Sequence, residues 1–368
     1  MRSIYPGRLA HLRRAMKQRG LAAVYLTSTV SRRYITGFTG TSGTVLITPH
    51  LAEFFTDFRY LERAAEETLG LFKIIDVGND GLKVLSQILK DNHVRRLGFE
   101  DRAISVARHK SLQKQLKPCS LVGIGDMVEK LRAVKDDYEL DTLRRAVGAT
   151  DKTFQELIRW LKHLKRIKRL PSEEAAAWKV RDIIHSKKFG EISFEPIIAS
   201  GANAARPHHE PSPKKLKLGE MVIIDLGVKV NGYHADMTRT IFLGEPTTKQ
   251  RKIYETTLSS QLSAISYLKK GGRSAKQADM QARRIIDAKF PGAFGHALGH
   301  GVGLEIHERP KLAQNSDDIL KSNMVFSIEP GIYLPGEGGV RIEDLVVLKE
   351  SGSEVISKSP KILRQTII

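Results

Sequence analysis

The chain has 368 residues, 41% of them hydrophobic, and a formal net charge of +19. Its length and apolar content suffice for a large core in one large domain or two domains, and its composition argues against a disordered or fibrous protein. Cys119 is the only cysteine, so an intramolecular disulfide and a cysteine-based zinc site are excluded. No apolar run approaches the roughly 18 residues of a membrane span, and no long apolar stretch follows the first charged residues. We therefore expect a cytoplasmic protein without a membrane partner.

The excess of lysine and arginine raises the possibility of a nucleic-acid partner, because phosphate contacts dominate such binding. The densest basic run covers residues 162–169. Leu157, Leu161, Leu164 and Ile167 recur through it at helical spacing. This pattern favours an amphipathic helix with a solvated basic face. Nucleic acid is not the expected partner.

Helical and strand-like patterns alternate through residues 1–127, which predicts a small α/β domain with a mixed or parallel sheet. A helix is expected at 7–19, with strands at 21–26 and 43–47. The glycine-rich segment 37–43 lacks the Gly-Lys-Ser/Thr ending of a phosphate loop, so it predicts a turn between strands.

Residues 128–368 predict a larger α+β domain, with helices grouped around a largely antiparallel sheet. Two helices are expected up to residue 170, and Ser172 is the predicted N-cap of a third. Helices are also expected at 249–268 and 275–289, and strands at 193–199, 221–230, 234–243 and from 298 onward.

Two acidic residues flank a predicted hairpin in this domain. The Asn-Gly pair at 231–232 is a strong two-residue turn signal. With that turn Asp225 pairs with Thr238, which places Asp225 and Asp236 on one face as diagonal neighbours. Two carboxylates on a buried face repel each other unless a positive group lies between them. Arg239 belongs to the opposite face, so a divalent cation fits better.

Two more acids and three histidines follow in similar apolar surroundings. Glu329 ends one strand, and Glu343 is expected inside a strand at 339–347. His296, His300 and His307 fall within twelve residues. A lone histidine is most often structural, but this density is harder to explain that way. Oxygen-rich ligands with one imidazole suit manganese, cobalt or zinc.

The ordered set Asp, Asp, His, Glu, Glu resembles the signature of the creatinase/methionine aminopeptidase superfamily. It is matched here by Asp225, Asp236, His300, Glu329 and Glu343, together with the strings at 236–240, 299–304, 328–333 and 339–344. The resemblance implies the pita-bread fold for residues 128–368, preceded by a creatinase-like N-terminal domain. That first domain, with residues 200–203 and Pro207-His208, resembles the Xaa-Pro aminopeptidase and prolidase branch.

The resemblance implies two divalent metal ions, with manganese expected first and cobalt or zinc as alternatives. Asp225 would chelate one ion, His300 and Glu329 the other, and Asp236 and Glu343 would bridge the pair.

Further roles follow from the same resemblance. Glu329 would act as general base, and His307 would stabilise the tetrahedral intermediate. His208 and His296 would contact the substrate, and Arg341 would steady the bridging carboxylates. Of the adjacent histidines, His208 is expected in the site and His209 in a loop.

The expected activity is that of an Xaa-Pro aminopeptidase on short proline-containing peptides, in a homodimer whose N-terminal domain limits access. A proline bond lacks an N–H and is rigid, so ordinary peptidases handle it poorly. The close alternative is a prolidase restricted to Xaa-Pro dipeptides, which a basic side chain for the dipeptide carboxylate would distinguish. A remote alternative is a non-catalytic relative that binds peptide or nucleic acid, disfavoured by the complete ligand set.

Overall fold

The computed structural model describes residues 4–78 and 80–368. The chain divides into two compact units, Met1–Arg132 and Ala133–Ile368. Each unit has its own sheets and its own buried apolar clusters, and the two are described separately.

The described part of the first unit contains one six-stranded sheet of order β4-β3-β2-β1-β5-β6. The pairs β1–β5, β5–β6 and β3–β4 are parallel, and the other two pairs are antiparallel. Of the two predicted sheet types, mixed or parallel, the mixed one is observed. Its strands are β1 (Ala23–Leu26), β2 (Thr44–Ile47), β3 (Ala52–Thr56), β4 (Lys73–Asp76), β5 (Arg96–Phe99) and β6 (Ser120–Gly123). Its helices are α1 (Ile4–Gln18), α2 (Thr29–Thr36), α3 (Leu61–Glu67), α4 (Gly81–Asp91) and α5 (Val106–Gln115). Helix α6 (Met127–Ala133) contains the boundary between the two units.

The glycine-rich segment 37–43 joins a helix to a strand, so its prediction as a turn between strands is wrong. Helix α2 ends at Thr36, and Gly37 follows with a left-handed φ of 81° that glycine adopts without strain. Tyr34 and Ile35 are buried on the inner side of this helix. A helix of eight residues shows too few apolar repeats to be recognised by periodicity.

The second unit opens with α7, a helix of 30 residues whose first turn carries a capping box between Asp136 and Glu139. Its apolar face buries Leu157 and Leu161, as predicted, but the helix ends at Arg166 and Ile167 is 43% exposed. Ser172 caps the next helix, also as predicted. Among the described residues, no helix is both long and apolar enough to cross a membrane. The helices are α7 (Asp137–Arg166), α8 (Glu173–Ser186), α9 (Thr248–Lys269), α10 (Ala275–Asp287) and α11 (Leu363–Thr366), with a 3-10 helix at Gly201–Ala205.

The strands of this unit, all of whose residues are described, pair antiparallel throughout. They form sheets of order β11-β10-β7, β12-β9-β8, β14-β13-β15-β18-β19 and β16-β17. This confirms the expected antiparallel α+β layout. The strands are β7 (Glu191–Ile192), β8 (Ile197–Ser200), β9 (Met221–Leu226), β10 (Val228–Val230), β11 (Tyr233–His234), β12 (Met237–Phe242), β13 (Gly299–Gly301), β14 (Glu308–Leu312), β15 (Val325–Ile328), β16 (Gly331–Leu334), β17 (Gly338–Arg341), β18 (Asp344–Lys349) and β19 (Gly352–Val355).

The hairpin that carries the two aspartates has the predicted register. Asp225 of β9 pairs with Thr238 of β12, and the same register continues to the turn. Asn231 and Gly232 both have positive φ, 48° and 80°, as the two-residue hairpin turn requires. Asp225 and Asp236 therefore share one face of the hairpin.

Glu343 does not lie inside a strand, so that expectation is wrong. Strand β17 ends at Arg341 and pairs with β16, whereas β18 starts at Asp344 and pairs with β15. The chain passes from one sheet to another at Ile342 and Glu343. The apolar residues on either side of Glu343 do not indicate such a change of partner.

Candidate metal centre

The predicted ligands converge on one cavity of about 570 Å³ in the second unit. Each comes from a different element: Asp225 from β9, Asp236 from the residue before β12, His300 from β13, Glu329 from the residue after β15, and Glu343 from the β17–β18 junction. The other four predicted site residues, His208, His296, His307 and Arg341, line the same cavity. The fold thus brings together residues that lie up to 135 positions apart, from 208 to 343.

Two glycines allow His300 to sit deep in its sheet. A Cβ on Gly299 would lie 2.0 Å from the Ser327 carbonyl oxygen, and one on Gly301 would lie 2.0 Å from that of Arg309. Any larger residue would push β13 away from its neighbours. The Gly-His-Gly sequence therefore sets how far the imidazole reaches into the cavity.

Three of the ligands form a compact triad. One potential ligand atom from each of Asp236, His300 and Glu343 lies within 4.8 Å of the other two. His300 Nε2 is 3.6 Å from Asp236 Oδ2 and 3.2 Å from Glu329 Oε1. His300 Nδ1 donates to the Gly301 carbonyl at 3.1 Å, which leaves Nε2 as the nitrogen that faces the carboxylates.

Three carboxylate oxygens of the site indicate that it could bind divalent cations. Among the described residues, Asp225 Oδ1, Asp236 Oδ1 and Glu343 Oε1 are buried without a hydrogen-bond partner. Buried carboxylate oxygens are rarely left so, because desolvation without compensation is costly. Carboxylate oxygens and an imidazole nitrogen are ligands for manganese, cobalt or zinc.

The electrostatics of the acidic side chains agree with this fit. Burial raises the pKa of both Asp236 and Glu343 well above their usual values, and repulsion by Asp225 and Asp236 respectively adds to the shift. Burial also raises the pKa of Asp225, although Arg341 opposes the shift. Without added positive charge, these acids resist ionisation together.

Glu329 and His300 form an ion pair. Burial opposes charge on both groups. Even so, the hydrogen bond and charge of His300 lower the pKa of Glu329 to about 2, and Glu329 and Asp236 raise that of His300 to about 9. Ser327 Oγ donates to Glu329 Oε1 at 3.0 Å. A metal bound at His300 Nε2 would replace the proton on that nitrogen.

Arg341 contacts Asp225 rather than the two carboxylates expected to bridge. Its Nη2 lies 2.7 Å from Asp225 Oδ2, and its Nε donates to Thr238 Oγ1 at 3.0 Å. Thr238 Oγ1 in turn donates to Glu343 Oε2 at 2.9 Å. The guanidinium thus supports Asp225 directly and Glu343 through one hydroxyl.

The histidines around the centre differ in their partners. His296 donates from Nδ1 to its neighbour's carbonyl, the Ala297 oxygen, at 2.8 Å, and its Nε2 accepts from the Tyr333 hydroxyl at 2.9 Å. The His307 ring lies edge to face with His300, with centroids 4.2 Å apart. His208 is exposed to the cavity.

Several contributors were not predicted from the sequence. Thr238, Ser327 and Tyr333 are neutral hydroxyl residues that hold the charged groups, and Lys311 lines the cavity. Thr238 and Tyr333 lie within the motif strings. No local pattern distinguishes their hydroxyls from those that serve only in packing. Lys311 would have been found only by knowing that β13 pairs with β14.

Two family models match the chain. Residues 141–350 match metallopeptidase family M24, and residues 8–134 match the creatinase/prolidase N-terminal domain. The M24 match covers more than half of the chain. The predicted fold, a pita-bread domain preceded by a creatinase-like domain, is confirmed.

Individual relatives agree over nearly the full length. An uncharacterised peptidase of Bacillus subtilis is 36% identical over 357 residues, 96% of this chain and 98% of its own. The structure of an Xaa-Pro dipeptidase from Bacillus anthracis superposes with a TM-score of 0.91 at 35% identity, covering 99% of this chain and 100% of that one. An X-Pro aminopeptidase from Thermotoga maritima gives 0.86 at 31% identity, covering 96% and 100%.

Proposed function

From the premise that this chain belongs to metallopeptidase family M24, we propose that it hydrolyses Xaa-Pro dipeptides. We choose this substrate because Lys311, a cation, lines the same cavity as the metal ligands. The similarity to a dipeptidase of Bacillus anthracis supports the same choice.

Two divalent ions, manganese first, would be held by the five residues Asp225, Asp236, His300, Glu329 and Glu343. Such ions lower the pKa of a bound water and polarise the carbonyl of the scissile bond. Asp236 and Glu343 would help to hold both ions, and each has an unpartnered buried oxygen among the described residues. Asp225 would help to hold one ion, and His300 with Glu329 would help to hold the other.

The remaining residues act on protons and on the substrate. Glu329 accepts the proton of the attacking water. Burial, helped by repulsion from His300, lowers the pKa of His307. Its imidazole would donate a hydrogen bond to the oxygen of the tetrahedral intermediate. His208 and His296 orient the peptide. Apolar contact with the proline ring and the preceding side chain comes from Phe194, Ile197 and Ile306, which also line the cavity.

Lys311 is placed to recognise a free carboxylate. It pairs directly with His300 across β13 and β14, and directly opposed residues project to the same face of a sheet. Its side chain is exposed and lines the cavity. In an Xaa-Pro dipeptide the terminal carboxylate lies on the residue just after the scissile bond. In a longer peptide that position is a neutral amide, which a lysine ammonium binds less strongly.

The second candidate is an Xaa-Pro aminopeptidase that acts on longer peptides. The similarity to the Thermotoga maritima enzyme favours it. In that case Lys311 would have no carboxylate to bind, and its removal would leave the rates on tripeptides unchanged.

A comparison of cleavage rates on three substrates distinguishes the two candidate functions. The wild-type protein, loaded with Mn²⁺, Co²⁺ or Zn²⁺, is given an Xaa-Pro dipeptide, the same dipeptide as a C-terminal amide, and an Xaa-Pro-Xaa tripeptide. We expect the free dipeptide to be cleaved at least about tenfold more efficiently than the amide, the value of a charge-assisted hydrogen bond. Lys311→Met should remove that preference through KM, and the exposed Lys321→Met should not. Equal cleavage of all three substrates would favour the aminopeptidase, and no metal-dependent cleavage of any would reject both.

A further inference from the structure

Glu173 is a fully buried carboxylate at the first position of α8. Its Oε1 accepts from the backbone nitrogen and hydroxyl of Ser200 at 2.8 and 2.7 Å. Its Oε2 accepts from the backbone nitrogen and hydroxyl of Ser212 at 3.2 and 2.6 Å, and His209 Nε2 lies 2.8 Å away. Asn203 Nδ2 donates to both oxygens at 3.1 Å.

All of these donors belong to residues 200–212, here named the His208 loop. The contacts span it from its first residue to its last, so one side chain closes the loop. Lys214 reinforces the arrangement, because its ammonium donates to the Ser200 hydroxyl at 2.6 Å and pairs with Glu220 at 2.9 Å. His209, expected as an ordinary loop residue, is instead a buried part of this cluster.

The His208 loop reaches the metal centre at two points. His208 itself faces the cavity, directly before the buried His209. The Pro207 carbonyl accepts from Arg341 Nη1 at 3.2 Å, and the same guanidinium holds Asp225 at 2.7 Å. Displacement of the loop would move a substrate contact and loosen one support of Arg341.

The cluster requires a charged carboxylate. A glutamine side chain has one acceptor oxygen and one donor nitrogen, so in either orientation its NH₂ would face the donors of Ser200 or those of Ser212. Burial alone would raise the pKa of Glu173, but the hydrogen bonds from Ser212, His209, Ser200 and Asn203 lower it to about 2. The carboxylate is therefore ionised at every pH at which the protein would be assayed.

We propose that Glu173 is a positioning residue for substrate binding, which acts by holding the His208 loop so that His208 faces the cavity. This inference rests on the proposed function for the identity of the substrate. None of the five candidate metal ligands belongs to the loop, and the loop reaches one of them, Asp225, only through the Pro207 contact with Arg341. Loss of Glu173 should therefore weaken substrate binding much more than metal binding.

The test compares Glu173→Gln with Glu174→Gln, which removes the exposed acid next to it on the same helix. His208→Ala and the double variant Glu173→Gln/His208→Ala complete a cycle. On an Xaa-Pro dipeptide with Mn²⁺, Glu173→Gln should lower kcat/KM about tenfold or more, mainly through KM, and Glu173→Asp should recover part of the loss. In the His208→Ala background the same change should have less than about a twofold effect, because the residue it positions is already gone. Mn²⁺ affinity measured by calorimetry should change by less than about twofold in all variants, well below the change in KM.

A second measurement does not depend on activity. Amide hydrogen exchange in residues 200–212 should be faster in Glu173→Gln than in Glu174→Gln, with exchange in β9 and β12 unchanged. Ser212→Ala removes one hydrogen-bond donor to Glu173 and should loosen the loop less. It replaces Glu173→Gln in this experiment if that variant does not fold. Unchanged exchange in the loop, or full additivity with His208→Ala, would overturn the positioning role. Failure of wild-type protein to cleave the dipeptide would reject the proposed function alone, since the exchange result would still stand.

Discussion

The negative charge of Asp236, which the proposed metal site requires, destabilises the folded chain. It is buried, 6% exposed, beside Asp225, and one of its oxygens has no partner among the described residues. Its pKa in the folded chain is raised well above 3.8. The stability linked to its protonated form is present below about pH 4 and is lost as pH rises through the folded-state pKa. Strain of this kind is typical of functional sites.

Asp236→Asn keeps the shape of the side chain and removes the charge that titrates. We expect the metal-free variant to be more stable than metal-free wild type at pH 8, by about 0.5–2 kcal/mol, in urea unfolding with a chelator present. The difference should shrink toward pH 4. A variant less stable than wild type at pH 8 would contradict the crowding of carboxylates in this site. The same variant should be inactive with any added metal.

Arg341 is the buried cation that holds Asp225. Arg341→Gln removes its charge and leaves the Asp225 carboxylate without its ion pair. Because groups that orient a metal ligand affect affinity and activity strongly, we expect a loss of about 10–100-fold in Mn²⁺ affinity or kcat/KM. Calorimetry and steady-state kinetics would measure both. Arg32→Gln, which removes a buried guanidinium of the first unit that donates to the Gly40 and Gly43 carbonyls, is the control for loss of a buried arginine. Equal effects of the two substitutions would show that Arg341 has no special role.

At the scale of elements, β13 places His300 by close packing against β14 and β15. Gly301→Ala would put a methyl group 2.0 Å from a backbone oxygen, so the strands must separate. We expect a loss of at least about 2 kcal/mol of stability and weaker Mn²⁺ binding. Gly295→Ala is the matched control, since a methyl group added there would have no heavy atom within 4 Å beyond its chain neighbours. Thermal unfolding and calorimetry of both variants test this, and a Gly301→Ala protein with normal metal affinity would rule out the packing explanation.

The hairpin register could be predicted from the sequence because local chemistry determines it. The Asn-Gly turn fixes the pairing, and the alternation of side chains then places Asp225 and Asp236 on one face. The position of Glu343 between β17 and β18 could not be predicted, because the partner of each strand comes from elsewhere in the chain. The contact of Arg341 with Asp225 joins residues 116 positions apart for the same reason.

The roles of the histidines also include some that could be predicted from the sequence and one that could not. Spacing identified His296, His300 and His307, the family resemblance added His208, and all four line the cavity. The burial of His209 against Glu173 was missed, because two adjacent histidines look alike without knowledge of which one faces the core. Non-local contacts of this kind leave no periodic signal.

At the scale of the whole molecule, metal binding should stabilise the folded chain. A ligand that binds only the native state raises stability in proportion to RT ln(1 + [L]/Kd), about 2.7 kcal/mol at a hundredfold excess over Kd. We therefore expect Mn²⁺ to raise the unfolding midpoint of wild-type protein in calorimetry. Asp236→Asn should show a much smaller shift. An equal shift in the variant would indicate that the ion binds somewhere other than this cavity.

We propose that Asp225, Asp236, His300, Glu329 and Glu343 bind divalent ions that drive hydrolysis of an Xaa-Pro bond. The most direct measurement is the rate of Xaa-Pro dipeptide cleavage by wild-type protein after chelation and dialysis, followed by titration with Mn²⁺, Co²⁺ or Zn²⁺. We predict no cleavage by the chelated protein, recovery that saturates near two ions per chain, and no recovery in Asp236→Asn. Cleavage that persists after complete metal removal, or no cleavage with any of the three metals, would contradict the claim.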